Sequence, residues 1–149
     1  MSNSTVVVIT GVSSGIGRAT AEKFAKQGCR VFGTVRSTAK AQPIPGVVMV
    51  EMDVRDDASV QRGIQTVIGQ AQRIDVLVNS AGGTLLGSVE ETSIAEAQSL
   101  FDTNVFGTLR TTQAVLPYMR TQRSGRIVNI SSVLGFLPAP YMGLYSASK

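Results

Sequence analysis

A tyrosine and a lysine near the end of the chain, Tyr145 and Lys149, have the types and the spacing that an acid-base pair requires. Four residues apart on a helix, they would lie on one face, where the ammonium can favour the phenolate electrostatically. A free tyrosine ionises only at about pH 10, so a fixed positive neighbour would suit it to proton transfer at neutral pH. The same spacing is common by chance, and an ordinary exposed helical pair is the alternative interpretation.

A glycine-rich segment near the amino terminus, Thr10-Gly-Val-Ser-Ser-Gly-Ile-Gly17, follows an apolar run and precedes a helical pattern. Backbone amides at a helix N-terminus carry a positive partial charge, and glycines let a pyrophosphate approach them closely. The residues predicted to bind these phosphates are Gly11, Ser13, Ser14, Gly15, Ile16 and Gly17. A nucleotide triphosphatase loop would need Lys-Ser/Thr after its last glycine, whereas Arg18 and Ala19 stand there. Glycines that serve only a tight turn are the other alternative.

The end of the second apolar run lacks the acidic residue that would accept hydrogen bonds from an adenosine ribose. Val35 stands at that place and Arg36 follows it. A guanidinium can bind a 2′-phosphate, and no carboxylate at this point repels it. NADP is therefore favoured over NAD, with a strand-end surface charge as the alternative role for Arg36.

Five apolar, β-branched runs predict the strands, and the segments between them have helical spacing. The runs cover residues 5–10, 30–35, 47–53, 76–79 and 126–131. They are nearly continuous rather than alternating, which is typical of strands that are covered on both faces. The alternation of strand and helix predicts one α/β domain over residues 1–149, a Rossmann-like doubly wound parallel sheet with right-handed crossovers.

The predicted helices cover residues 18–27, 58–70 and 94–118. Gly28 is expected to end the first helix, and Asp57 is a candidate N-cap for the second. The third opens on the capping-box pattern Ser93-Ile-Ala-Glu96. Its spacing predicts a buried stripe made of Ile94, Ala97, Phe101, Val105, Leu109, Thr112 and Leu116. Segment 37–46 contains two prolines and is predicted to be a loop or a poorly formed helix.

The composition argues against several classes of protein. A net charge of +4 comes from scattered basic residues without a basic run, so no nucleic-acid partner is expected. The chain has no histidine, and its cysteine and carboxylates do not cluster at ligand spacing, so no metal site is predicted. A single cysteine, no 18-residue apolar run and no basic leader predict a cytoplasmic protein without a membrane anchor.

Taken in order, the motifs resemble those of the short-chain dehydrogenase/reductase family in its single-domain form. The motifs are Thr10-Gly-x-x-x-Gly-Ile-Gly17, Asp53-Val54, Asn79-Ser-Ala-Gly82, Asn104, Ser132 and Tyr145-x-x-x-Lys149. The resemblance implies a strand order of 3-2-1-4-5. It also implies an NADP-dependent oxidoreductase that interconverts a carbonyl and a secondary alcohol on a small-molecule substrate. Homo-oligomers, formed through the helices after the fourth and fifth strands, are common in that family.

The resemblance implies roles for further cofactor-binding residues. Asp53 is expected to contact the adenine amino group with its side chain, and Val54 to lie beside that ring. Ala81 and Gly82 would pass beside the cofactor ribose, while Asn79 would brace the central strand. An ordinary surface carboxylate is the alternative for Asp53.

A catalytic set of four residues follows from the same resemblance. Asn104 would hold a water in a proton relay, and Ser132 would hydrogen-bond the substrate carbonyl. Tyr145 would transfer the proton, and Lys149 would favour its ionised form and bind the nicotinamide ribose. The alternatives are a satisfied polar group within a helix for Asn104 and a turn-forming residue for Ser132.

Members of that family usually have about 250 residues, so the resemblance implies a sheet truncated before its last two strands. The fifth strand is then expected to be an open edge with partly uncovered apolar side chains. The isolated 149-residue chain is expected to lack catalytic turnover. Two other functions stay open, a non-catalytic dinucleotide-binding module and an interaction protein that pairs through its open edge or its long helix.

Overall fold

A parallel sheet with helices on both faces forms the frame of the molecule. The computed structural model describes residues 4–149. The strands are β1 (Val6–Thr10), β2 (Arg30–Val35), β3 (Val47–Glu51), β4 (Val76–Asn79) and β5 (Arg126–Asn129). They pair in parallel in the order β3-β2-β1-β4-β5. The predicted class and strand order are confirmed, and within residues 4–149 β5 pairs on one side only, which leaves the expected open edge.

The helices lie between the strands, as the spacing predicts. They are α1 (Gly15–Lys26), α2 (Asp57–Ala71), α3 (Ile94–Phe101), α4 (Gly107–Gln122) and α5 (Gly143–Ala147). One turn of π-helix, Asp102–Phe106, joins α3 to α4 into a single long helix. Segment 37–46 is largely a loop, with a short 3₁₀ turn at Thr38–Lys40. Among residues 4–149, none of the helices has the length and apolar character needed to cross a membrane.

The observed helix ends confirm the prediction at some positions and correct it at others. Helix α1 begins three residues earlier than predicted, inside the glycine-rich segment. It ends before Gly28, whose φ of 80° is the left-handed backbone that favours glycine. The N-cap of α2 is Asp56, whose carboxylate accepts a hydrogen bond from Ala58 N, so the prediction of Asp57 is wrong by one residue. The predicted capping box at Ser93 is confirmed.

Two apolar layers cover the two faces of the sheet. Successive side chains of a strand point to opposite faces, so Val6 and Val8 pack in one layer while Val7 and Ile9 pack in the other. The first layer contains side chains of α2 and α4, and the second contains Ala21 of α1. Burial on both faces explains why the strand sequences are continuous apolar runs.

The buried face of the long helix differs from the predicted one. Ile94 is 74% exposed and Leu109 is 49% exposed. The side toward the sheet instead carries Leu100, Asn104, Gly107, Thr111, Ala114, Val115 and Met119. The prediction failed because it assumed uniform α-helical winding with an apolar inner face. The π turn changes the winding, and two of the inward residues are polar groups with hydrogen-bond partners.

One buried amide ties this helix to the centre of the sheet. Asn79 Nδ2 donates to Asn129 Oδ1 on β5 at 2.9 Å and to Thr112 Oγ1 on α4 at 3.3 Å. Its Oδ1 accepts from Thr111 Oγ1 at 2.7 Å. Asn79 therefore links β4 to its neighbouring strand and to the helix that covers them.

Replacing this amide should weaken the whole domain. We expect Asn79→Ala to lower the free energy of unfolding by about 2 kcal/mol, because buried hydrogen bonds are lost and a small cavity is left. Urea denaturation followed by circular dichroism measures the change. Gln113→Ala is the control, since Gln113 is an exposed residue of α4 and its replacement should cost clearly less. An equal loss in both variants would contradict a central role for Asn79.

Candidate active site

A cleft of about 530 Å³ opens at the carboxyl ends of the strands. The cleft lies between β1 and β4, which are neighbours in the sheet. After these two strands the chain continues toward opposite edges of the sheet, and α/β proteins bind ligands at such a point. The predicted site residues that line it are Gly11, Ser13, Ser14, Ile16, Gly17, Arg36, Asp53, Val54, Ala81, Gly82, Tyr145 and Lys149. The fold thus brings together residues that are far apart in the sequence.

Four predicted residues, Gly15, Asn79, Asn104 and Ser132, lie outside this lining. Asn79 and Asn104 line a smaller cavity of about 230 Å³, which shares Lys149 with the main cleft. Ser132 caps the short 3₁₀ turn Val133–Gly135, and its Oγ accepts a hydrogen bond from Leu134 N at 3.2 Å. The structure therefore places Tyr145 and Lys149 in one cleft, with Ser132 one residue beyond the lining residue Ser131.

The glycine-rich segment is fixed at both of its sides. Gly11 N and Val12 N each donate to Thr34 O of β2 at 3.1 Å. On the other side, Thr10 Oγ1 accepts hydrogen bonds from Ser80 N at 3.0 Å and Ala81 N at 2.9 Å. The start of α1 is thereby held over the middle of the cleft.

This helix start is suited to an anion. The N-cap residue Ser14 makes no side-chain capping bond, and the first turn of α1 contains no acidic residue. The first amides of a helix have no partner within it, and they carry the positive end of the helix dipole. Phosphate oxygens would supply both the missing acceptors and the negative charge.

Gly17 is a position that only glycine fills without strain. A Cβ there would collide with the carbonyl oxygen of Gly11, and it would lie 3.0 Å from the carbonyl carbon of that residue. The obstacle is backbone, which cannot move aside as a flexible side chain can. Gly17 therefore allows α1 to start in close contact with the turn that follows β1.

Tyr145 and Lys149, the predicted acid-base pair, lie at the other end of the cleft. Tyr145 is in α5, and Lys149 follows that helix with its main-chain N–H donating to Ser146 O at 3.1 Å. Lys149 Nζ lies 5.8 Å from the centre of the Tyr145 ring and donates to Ile130 O at 3.2 Å. The ammonium is thus anchored at the end of β5 and faces the aromatic ring.

Asn104 lies in the π turn and is 8% exposed. Its Oδ1 accepts from Gly83 N at 2.8 Å, and its Nδ2 donates to Gly83 O at 3.0 Å and to Ser148 Oγ at 2.8 Å. Ser148 Oγ in turn donates to Tyr145 O at 2.7 Å. One carboxamide therefore joins the loop after β4 to the helix that carries the tyrosine.

The adenosine end, the part of the cleft beside Arg36, also contains Asp53 and Arg55. Asp53 Oδ1 accepts from Arg55 Nε at 3.0 Å, and Oδ2 accepts from Arg55 Nη2 at 2.7 Å. The hydrogen bonds from Arg55, with a smaller contribution from Arg36, hold the pKa of Asp53 below its ordinary value against the opposing effect of burial. Asp53 therefore stays ionised at neutral pH, and its pairing is lost only as acid protonates it.

Several lining or supporting residues were not predicted from the sequence. Arg55 and Ser131 line the cleft, and Thr10 and Ser148 support it through hydrogen bonds. Arg55 stands two residues after Asp53, a spacing that could have indicated a local ion pair. Ser131 Oγ donates to Lys149 O at 2.9 Å, a contact with no sequence signal. Among residues 4–149 no group of three His, Cys, Asp or Glu side chains could hold a metal.

This fold and cleft define a class of dinucleotide-binding α/β domain, and comparison with known proteins places the chain within it. The family described as short chain dehydrogenase matches residues 5–149. The chain belongs to that family of oxidoreductases, and the resemblance seen in the sequence is confirmed.

Individual relatives agree in sequence and in structure. The 3-ketodihydrosphingosine reductase of Bacteroides thetaiotaomicron is 42% identical over 144 residues, which are 97% of this chain and 53% of the relative. A short-chain dehydrogenase from Streptomyces avermitilis superposes with a TM-score of 0.92 at 40% identity, covering 98% of this chain and 56% of that one. The structure of ElxO with NADP bound gives a TM-score of 0.92 at 33% identity, covering 97% and 62%. The chain thus spans about half the length of the relatives it matches.

The close packing at Gly17 gives a first test of the site. We expect Gly17→Ala to lower the melting temperature and to weaken NADPH binding at least tenfold, because the added methyl displaces the start of α1 from the turn beneath it. Thermal unfolding and fluorescence titration measure the two effects. Gly69→Ala is the matched control: no atom lies within 4 Å of the added Cβ, and alanine favours the helix. Unchanged binding in Gly17→Ala would show that the helix start does not hold the phosphates.

Proposed function

We propose that this chain belongs to an NADP-dependent oxidoreductase that interconverts a carbonyl and a secondary alcohol. The observation that supports the proposal is that a single cleft contains a helix start without anionic neighbours, Arg36 and the Tyr145/Lys149 pair. An anion-binding end and an acid-base pair in one cleft are what hydride transfer with a nicotinamide dinucleotide requires. The structural neighbour that contains NADP supports the same cofactor.

The cleft fits an extended dinucleotide. Arg36 follows β2 and Ile130 follows β5, and three strand spacings of the sheet separate these positions, about 14 Å. The adenosine end of the cofactor would lie beside Arg36 and the nicotinamide end beside Lys149, with the pyrophosphate over α1 between them. When bound, NADP supplies or accepts the hydride.

Tyr145 and Lys149 would handle the proton. Tyr145 Oη donates it to the substrate oxygen in reduction and removes it from the alcohol in oxidation. Lys149 lies beside the Tyr145 ring and would bind the nicotinamide ribose. The small cavity beside Lys149 would take a water that donates to the remaining lone pair of Asn104 Oδ1 and relays the proton to solvent.

Ser132 carries a hydroxyl group that can donate to a substrate without a change of hydrogen-bond partner. Its proposed role is to hydrogen-bond the substrate carbonyl, and its oxygen accepts from Leu134 N. A hydroxyl accepts and donates at the same time, so the O–H of Ser132 stays available for the carbonyl oxygen. The chain spans about half the length of its relatives, and the apolar side chains of Val133, Phe136 and Leu137 that follow Ser132 are exposed. We therefore expect the 149-residue chain to bind NADPH without catalytic turnover.

The share of its relatives that the chain spans, about half, favours a second candidate, a dinucleotide-binding module without chemistry. Both candidates require NADPH binding, and turnover separates them. A third role, association through the long helix, draws on the exposed side chains of Ile94, Phe106 and Leu109. It is compatible with either candidate, since a homo-oligomer could form through this face.

The segment between Ser131 and Tyr145 favours an apolar substrate. Both of these residues line the cleft, and the segment between them exposes Val133, Phe136 and Leu137. Exposed apolar groups next to a polar cleft would contact the non-reacting part of a carbonyl compound. The similarity to a 3-ketodihydrosphingosine reductase agrees with a ketone substrate.

Arg36 should set the preference between the two nicotinamide cofactors. We expect Arg36→Gln to weaken NADPH binding about tenfold and to leave NADH binding within about twofold, because only NADPH carries the 2′-phosphate. Isothermal titration of both cofactors measures the ratio. Arg30→Gln, at the opposite end of the same strand, controls for the loss of one positive charge. A ratio that is unchanged in Arg36→Gln would rule out this residue as the phosphate ligand.

Catalysis can be tested by joining residues 1–149 to the part of the Bacteroides relative that lies beyond the match. This chimera should consume NADPH when given an apolar ketone, whereas the 149-residue chain should only bind it. Tyr145→Phe should lower the rate of the chimera about a hundredfold or more without weakening NADPH binding. Tyr118→Phe, a tyrosine of α4 outside the cleft, is the control. A chimera that binds NADPH, shows no turnover and does not respond to Tyr145→Phe would favour the non-catalytic module.

A further inference from the structure

The charges around the adenosine end of the cleft are unevenly placed. The charged residues among those lining the cleft are Arg36, Asp53, Arg55 and Lys149. Lys149 belongs to the far end, beside β5, so the adenosine end contains two guanidinium groups and one carboxylate. Asp53 is the group that would oppose binding of a phosphate there.

Strand pairing brings Asp53 close to the predicted phosphate site. The paired residues of β2 and β3 end at Val35 and Glu51. Met52 N donates to Val35 O at 2.8 Å, so the segments that follow these two strands continue side by side. Arg36 follows Val35, and Asp53 follows Met52, which places the two side chains at adjoining positions. Arg36 is close enough to act on the Asp53 carboxylate through its charge.

Arg55 binds the carboxylate of Asp53 through two hydrogen bonds. Both oxygens of Asp53 accept from the same guanidinium, at 3.0 and 2.7 Å, which is the strongest geometry for this pair. The two side chains are 40% and 29% exposed, and ion pairs this exposed contribute little to folding. The contact therefore has more effect on the local charge than on stability.

We propose that Arg55 is a specificity-determining residue, which favours NADP by neutralising Asp53 beside the 2′-phosphate. Without Arg55, a free carboxylate would face the phosphate and offset the attraction of Arg36. With Arg55 in place, Asp53 could take the adenine contact that the family resemblance implies without repelling the phosphate. This inference rests on the dinucleotide function proposed above and goes beyond it in assigning a residue that the motifs do not contain.

Small adenosine phosphates test the inference at this end of the cleft alone. The probes are adenosine 2′,5′-bisphosphate and adenosine 5′-diphosphate, titrated calorimetrically into the 149-residue chain. We expect Arg55→Gln to weaken binding of the 2′,5′-bisphosphate about tenfold, which corresponds to one or two charge interactions screened by water. Binding of the 5′-diphosphate should weaken less than about twofold. The double variant Asp53→Asn/Arg55→Gln should return the 2′,5′-bisphosphate to within about threefold of the unsubstituted chain.

The remaining outcomes would contradict the inference, for different reasons. A double variant as weak as Arg55→Gln would show that Arg55 binds the phosphate directly, and equal loss of both probes would show a merely structural role. Arg62→Gln is the matched control, because Arg62 is a 69% exposed residue of α2 that lies outside the cleft. If the unsubstituted chain bound neither probe, the proposed dinucleotide function would fail, and this inference with it. If it bound both with Arg55→Gln unchanged, only the inference would fail.

Discussion

The buried hydroxyl of Thr10 holds the sheet together at the point where the cleft opens. β1 and β4 pair as far as Ile9 and Val78, and beyond that point the chain turns away on both sides. Thr10 Oγ1 accepts two main-chain hydrogen bonds there, from Ser80 and Ala81. A hydroxyl has two lone pairs, so one side chain satisfies two amides that the diverging strands would otherwise leave to water. The position of α1 relative to Tyr145 and Lys149 depends on this junction.

The two ends of the cleft are built from different kinds of polar group. The adenosine end uses charged and partly exposed side chains, Arg36, Asp53 and Arg55. The end beside Tyr145 and Lys149 is held by neutral hydrogen bonds of Asn104 and Ser148. Neutral groups fix the geometry without adding a charge that would compete with the lysine ammonium. Because they are buried, loss of a hydrogen-bond partner would cost them more free energy than it would at the surface.

Sequence patterns predicted the strand order and most of the cleft, because β-branched runs and the glycine-rich turn carry strong local signals. They failed where two alternatives look equivalent in the sequence and only the folded structure distinguishes them. Asp56 and Asp57 are equally good caps in the sequence, and only the backbone decides between them. Ser131 lines the cleft and donates to Lys149 O, a contact that has no sequence signal. The inner face of the long helix is polar where it meets Asn79, so hydrophobic periodicity predicted the wrong side.

The π turn at Asp102–Phe106 makes the long helix tolerant of one additional residue. Each α-helical residue rotates the chain by about 100°, whereas a turn with i→i+5 hydrogen bonds winds less per residue and takes up the additional residue within itself. Removal of one residue from this turn would therefore restore regular winding with α3 and α4 left in their present orientations. The change would fall on the turn itself, where Asn104 binds Gly83 and Ser148.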